Sequence, residues 1–224
     1  MKQLIYGLLL FAFLSCGQTS VNFSKSEILL FENVGFDKEI LSDLKKAAAE
    51  EFFQLEISEP GYIIDKNGTQ SKTEIEKLNG ISFKTSENRA YEIILENRVE
   101  LKSKGYQLFL SESGYESPST VSVIKSMDKF DILKTQKTDG INFGIENKDV
   151  IEKLKVWDKK YGIEILGADY DWVDLTFNTD IIDIAAFAAE VYDFCPDSVD
   201  QGVGQISELE RIIKEEKRLF LWWD

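Results

Sequence analysis

Apolar residues along this chain recur in two rhythms, one near 3.6 residues and one of 2, and these separate a loosely patterned N-terminal third from a regular C-terminal part. Residues 4–14 form one continuous apolar run, and residues 17–26 are polar with no apolar period. Residues 27–31 read as a short strand. Asp37 is placed to cap a helix carrying Ile40, Leu41, Leu44, Ala48, Phe52 and Leu55 along one side, which Pro60-Gly61 would end. Residues 65–77 are polar and turn-rich and carry no motif.

After a soft boundary near Gly80 the pattern predicts a strand over residues 81–84. A helix of about 15 residues follows, with Tyr91, Ile94, Leu95, Val99 and Leu101 mostly inward and Gly105 closing it. Residues 106–110 and 120–125 read as strands around a turn, followed by a helix from Asp128 that Gly140 would end and a weaker strand over 141–145. Asn147 is a plausible cap for a helix with Val150, Ile151, Leu154, Trp157 and Tyr161 at helical spacing. Residues 162–168 and 171–178 read as a hairpin. Its second strand alternates Val173, Leu175 and Phe177 against Trp172, Asp174 and Thr176, so one face is assigned to the core and the other to water. Ile184, Phe187, Ala188 and Val191 mark a helix that Pro196 stops. Ser207 and Glu210 form an S-x-x-E capping box for the next helix, and residues 218–223 read as a closing strand. With no repeat, heptad array or low-complexity segment, the expected class is α+β: a mixed, mainly antiparallel sheet with helices packed on it.

Charge narrows the partners. The formal net charge is −14, with 40 acids against 26 Lys and Arg, so phosphate-rich partners such as nucleic acid are repelled and a basic protein or a cation is easier to accommodate. Histidine is absent, which excludes a Ser-His-Asp triad or a Cys-His pair; no cofactor or metal is expected. Of the two cysteines, Cys16 follows the apolar run and Cys195 lies near the C-terminus.

The run after Lys2 is too short to span a bilayer comfortably and reads as the core of a secretion signal over residues 1–15. Its junction Ser15-Cys16 resembles the lipobox of bacterial lipoproteins, with Phe13 where that motif usually has leucine. The resemblance implies cleavage before Cys16, acylation of its thiol and amino group (palmitate is a suitable label), and a tether over residues 16–26. The alternative is an ordinary signal peptide with an incidental cysteine. Acyl chains contribute roughly 0.8 kcal/mol per buried CH₂, so several of them make attachment to the membrane long-lived. Gly17, in place of the aspartate that retains some lipoproteins in the inner membrane, implies the outer membrane of a bacterial cell envelope. Cleavage would remove Lys2 and no acid, and with Cys16 lipidated Cys195 would have no disulfide partner. The remaining sequence divides into a region of unknown type over 27–79 and an α+β domain over 80–224.

Several short segments in that domain are distinctive: Thr138-Asp139-Gly140-Ile141-Asn142, Trp157-Asp158, Gly167-Ala168-Asp169 with Asp171-Trp172, Phe194-Cys195-Pro196-Asp197, Val199-Asp200-Gln201-Gly202, and the terminal Leu221-Trp222-Trp223-Asp224. Together they resemble the bacterial domain of unknown function 4253 family, most specifically over 138–224 and extending back toward Gly80. The resemblance implies one α+β domain with a shared constellation at its C-terminal end, and supplies no catalytic residue.

Within these segments, Asp197, Asp200 and Gln201 offer oxygen acceptors on a glycine-bearing loop that could hold a cation or a polar ligand; equally, they could cap backbone amides between two helices. Cys195 falls beside the stripe of Val191, where a packed thiol competes with a reactive one. Trp157, Trp172, Trp222 and Trp223 each lie near an aspartate. Edged by Asp158, Asp171, Asp174 or Asp224, such rings suit a sugar-binding groove or a protein-contact patch, and they also suit a core. The candidate ligand or partner residues are therefore Trp172, Asp197, Asp200, Gln201, Trp222, Trp223 and Asp224. The leading expectation is a membrane-anchored, non-enzymatic binding domain, of which an acidic immunity-type inhibitor is one form. The alternatives are a carboxylate-dependent envelope hydrolase using some of Asp171, Asp174, Asp197, Asp200 and Asp224, and a structural lipoprotein with no ligand.

Overall fold

A computed structural model of the chain describes residues 21–48, 50–57, 62–72, 75–114 and 118–224. The expected secretion signal, Cys16 and the expected break at Pro60-Gly61 lie outside the described residues.

The first element is a helix, α1 (Lys25–Val34), where the sequence suggested a tether and then a strand. Ser24 accepts from the Glu27 backbone while the Glu27 side chain accepts from the Ser24 backbone, a reciprocal cap that satisfies two amides and outweighs the extended tendency of Ile28, Leu29 and Leu30. α2 (Lys38–Ala48) follows, but the stripe through Phe52 and Leu55 does not continue as helix, because β1 (Phe53–Glu56) joins the main sheet. Two short strands, β2 (Tyr62–Ile64) and β3 (Gln70–Lys72), form a separate antiparallel hairpin in the segment that carried no readable motif.

The main sheet comprises β1, β4 (Lys77–Thr85), β5 (Tyr106–Glu112), β6 (Ser119–Lys125), β7 (Ile163–Ala168), β8 (Trp172–Phe177) and β9 (Arg218–Trp222), in the order β1-β4-β6-β5-β7-β8-β9. Every neighbouring pair is antiparallel except β5 with β7, so the α+β class and the mixed, mainly antiparallel sheet are as expected. Gly80 lies inside β4, and β1 pairs with that strand. A boundary there cuts a continuous ladder.

Helices cover both faces. On one, α1, α2 and α3 (Glu87–Ser103) bury Phe31, Leu41, Leu44, Ala90, Ile93 and Ile94 against Ile81, Phe83, Leu108 and Val121. On the other, α4 (Asp131–Gln136), α5 (Asn147–Tyr161), α6 (Ile184–Phe194) and α7 (Ile206–Glu216) bury Leu133, Leu154, Trp157, Phe187 and Ile213 against Phe109, Val173, Leu175 and Leu219. Adjacent residues of one strand feed opposite cores, as a period of 2 requires. Two-sided coverage also corrects the reading of β8: Asp174 and Trp172 are buried beneath α3 and neighbouring side chains, not in water.

Local differences have local causes. On α3 the buried line runs through Ala90, Ile94 and Leu101, leaving Leu95 and Val99 exposed on its flank. α4 stops at Lys137, which takes a left-handed φ of 56°, before Gly140 is reached. Residues 141–145 form a tight 3₁₀ turn (Ile141–Phe143) closed by a bridge between Gly140 and Ile145, so they are no strand. Glu146 caps α5 reciprocally with Asp149, while Asn147 donates to the carbonyls of Leu133 and Thr138. α7 starts at Ile206, which places Ser207 inside the helix; the expected S-x-x-E box does not form, and Ser207 instead contacts Gln205.

Candidate functional site

Cys195 and Trp222 meet where two of the distinctive segments come together. α6 ends against Pro196, and a π-helical turn (Ser198–Val203) then folds the chain back beside the end of β9. There Cys195 Sγ donates to the Trp222 carbonyl at 3.0 Å and the Trp222 N–H donates to Ser198 Oγ at 3.3 Å. Two residues further, the Asp224 N–H donates to Asp197 Oδ2 at 3.0 Å. Trp223 is buried between these strands of chain: its backbone N–H donates to Asp171 O, its indole N–H to Phe194 O, and the Phe194 ring meets it edge-on at 5.6 Å. Gly140 lies directly under the indole, where a Cβ would come within 2.8 Å of it. Gly140 and Phe194 thus meet the Trp223 ring, while Asp171, Cys195, Asp197 and Ser198 hold the backbone of Trp222, Trp223 and Asp224 around it.

Residues 120–224 match the family model described as Domain of unknown function (DUF4253). No curated protein and no solved structure matches the chain. The DUF4253 segment starts in β6 and takes in β7, β8 and β9 together with α4 to α7, leaving β1, β4 and β5 of the sheet outside it, so the cluster around Trp223 lies wholly inside it.

That cluster is built for fixing the tail. Burial pushes the Cys195 thiol above its ordinary range, which leaves it protonated, and no side chain of the chain supplies a histidine base. Asp197 is buried with an oxygen given to the Asp224 amide, and Asp200 accepts from the Tyr192 hydroxyl on the surface. Gln201 and Asp224 are exposed. Among the described residues no group of three or more Cys, Asp and Glu side chains is gathered so as to hold a metal ion.

The opposite face of the same two strands differs in kind. Side chains of Trp172, Asp174 and Thr176 on β8 and of Arg218, Phe220 and Trp222 on β9 share the face on which α3 lies. Arg218 grips Asp174 with two hydrogen bonds of 2.8 and 2.7 Å, and its guanidinium lies 4.6 Å from the centre of the Tyr91 ring. The Tyr91 hydroxyl donates to Asp174 Oδ2 at 2.9 Å. Burial first, then the Asp174 charge, pushes the Tyr91 phenol far above its ordinary range, so it stays a donor. The hydrogen bonds to Asp174 hold the Arg218 guanidinium charged. Beside this unit Trp172 stacks on Phe220 at 5.6 Å, and the Trp222 indole donates to Asp171 at 3.3 Å. Phe220 is 45% exposed, Leu95 53% and Val99 73%, so α3 and β9 border a surface with apolar edges and a fixed ionic centre.

The residues singled out from the sequence therefore split. Trp172 and Trp222 belong to the α3–β9 face; Trp223, Asp197 and Cys195 belong to the tail-fixing cluster; Asp200 and Gln201 face solvent near the latter. Both oxygens of Asp174 are committed, and Asp171 and Asp197 accept from indole and amide N–H groups, while Asp200 and Asp224 are exposed. Tyr91, Arg218 and Phe220 were not singled out. The even-numbered residues of β9 face the even-numbered residues of β8, and that alternation was the one available signal for Arg218 and Phe220; nothing local links Tyr91 to them.

Proposed function

We propose that the chain is a lipid-anchored interaction module of the bacterial cell envelope, held through Cys16 to the outer membrane, and that it binds a basic protein on the face between α3 and β9 without catalysing a reaction. The observation that carries this is the surface itself. On β9 Phe220 and the half-buried Trp222, and on α3 Leu95 and Val99, which follow Tyr91 at helical spacing, border an Arg218–Asp174–Tyr91 unit in which both oxygens of Asp174 are already engaged, so apolar contact beside it strands no carboxylate. Aromatic rings on a rigid sheet lose little freedom when covered, and a chain of net charge −14 draws a cationic partner toward it over a distance comparable with the screening length. Protein recognition fits better than sugar recognition because the aliphatic Leu95 and Val99 extend the surface beyond any ring platform.

The test is co-purification of the full chain in detergent, from cells producing it, at low and at moderate salt, beside a Leu95→Ser, Val99→Ser double variant. Capture of a basic protein that falls with added salt and is lost in the variant is the expected result. No salt-sensitive partner, or capture that the variant leaves intact, overturns the assignment.

A further inference from the structure

β9 is an edge of the main sheet, and its register with β8 fixes which of its backbone groups point outward. The Trp223 N–H donates to Asp171 O and the Phe177 N–H to Lys217 O, so odd-numbered positions from 217 to 223 form the hydrogen-bonded pairs with β8. Antiparallel ladders alternate, and the N–H and C=O of Arg218, Phe220 and Trp222 therefore point away from the sheet. At Trp222 both groups are occupied, by Ser198 Oγ and Cys195 Sγ. At Arg218 and Phe220 they have no partner among the described residues. The usual guards against edge pairing are also missing: β9 contains no proline, and its single charge is neutralised by Asp174.

We propose that β9 pairs with β9 of a second copy of this chain, antiparallel across a two-fold axis at Leu219, joining two main sheets into one. The open groups are self-complementary. Rotation about Leu219 sets Arg218 opposite Phe220 of the second copy and Phe220 opposite its Arg218, and each of these pairs exchanges N–H···O bonds in both directions. A one-residue shift of the axis to Phe220 would bring Arg218 against Trp222, whose outward groups are already used, so the plug of Cys195 and Ser198 selects the register. In the selected register Phe220 lies beside the aliphatic stem of the opposing Arg218, and part of its exposed ring leaves water. This pairing occupies the strand edge and takes part of the Phe220 ring, which also borders the proposed docking face, but leaves Leu95 and Val99 uncovered, so the Leu95→Ser, Val99→Ser variant separates it from recognition of a basic partner.

Phe220→Pro tests it, because proline removes only an outward N–H that the β8 ladder does not use. Phe220→Lys sets like charges against the opposing Arg218 and serves where proline perturbs folding. The lipid-anchored chain in detergent micelles, measured by light scattering coupled to size exclusion, is expected to carry twice the protein mass of one processed chain, each copy weighing less than the 25.6 kDa of the 224 residues once residues 1–15 are removed. Both variants should run as monomers with circular dichroism unchanged. Added salt should strengthen the dimer by screening two acidic chains, opposite to its effect on a basic partner. A wild-type monomer throughout the micromolar range overturns the proposal, and so does a dimer that survives both substitutions.

Discussion

Asp174 and Arg218 meet diagonally across neighbouring strands, Asp174 lying opposite Phe220 and Arg218 opposite Thr176: the carboxylate, wholly buried, receives two parallel hydrogen bonds from a guanidinium that keeps 36% of its side chain exposed. Removing one partner strands a charge in the sheet, whereas removing both does not. Arg218→Met is expected to destabilise the fold by about 3 kcal/mol, the low end for a buried pair because solvent reaches the arginine. Asp174→Leu combined with Arg218→Met should recover most of that loss. Denaturant titrations of the three chains give the comparison; equal losses in the single and double variants would show that the pair is not a coupled unit.

Gly140 carries no side chain because the Trp223 indole occupies the space. A methyl group there meets ring carbons at 2.8 and 2.9 Å. Gly140→Ala should cost about 1–3 kcal/mol as the indole is displaced, with a changed tryptophan emission spectrum. An unchanged melting temperature would mean that the tail yields freely.

Acid sensitivity should arise at the N-terminal end. Burial alone would raise the Glu27 pKa, but Lys45 at 2.6 Å and the amides of Phe52 and Ser24 outweigh it and hold the carboxyl below its ordinary 4.5. A depressed folded-state pKa contributes stability that is present above the unfolded value and lost as pH falls through the folded one. The melting temperature should therefore drop below about pH 4.5. Glu27→Gln should be less stable at neutral pH and show a shallower acid decline; parallel profiles for the two chains would assign the acid effect elsewhere.

Cys195 is fully buried and its thiol is pushed up by burial, so it should resist alkylation in the native chain and react only on unfolding. Peptide mapping after a timed iodoacetamide pulse, with and without denaturant, reads this directly. Rapid native labelling would point to an accessible thiolate.

Lipid attachment has its own measurement. Cells producing the chain and fed radiolabelled palmitate should label the wild type and not Cys16→Ala, which should also leave the membrane fraction. Label retained in the variant would place the acyl group on another residue.

Much of the scaffold could be read along the chain. The 3.6-residue stripes of α5 and α6, the hairpin of β7 and β8 and the stop at Pro196 are local patterns in which adjacent residues share a cause, and the structure has them where the spacing puts them. The N-terminal third resisted because its local signals compete. There a capping box decided α1 against the strand tendency of its apolar residues, and the main sheet claimed β1 from an apparently continuous helical stripe.

The sequence by itself determined the α+β class, the acidity, the histidine-free chemistry and the short distinctive segments, which lie within the residues that match the DUF4253 model. Tertiary structure alone decided their roles. Trp222 and Trp223 are neighbours in the chain, yet one borders an exposed face and the other is sealed over Gly140, because successive residues at a strand end point to opposite sides of a sheet covered unequally. Tyr91 reaches Asp174 from 83 positions away, and Arg218 from 44. Contacts over such separations follow from strand order and helix placement, which no local spacing encodes.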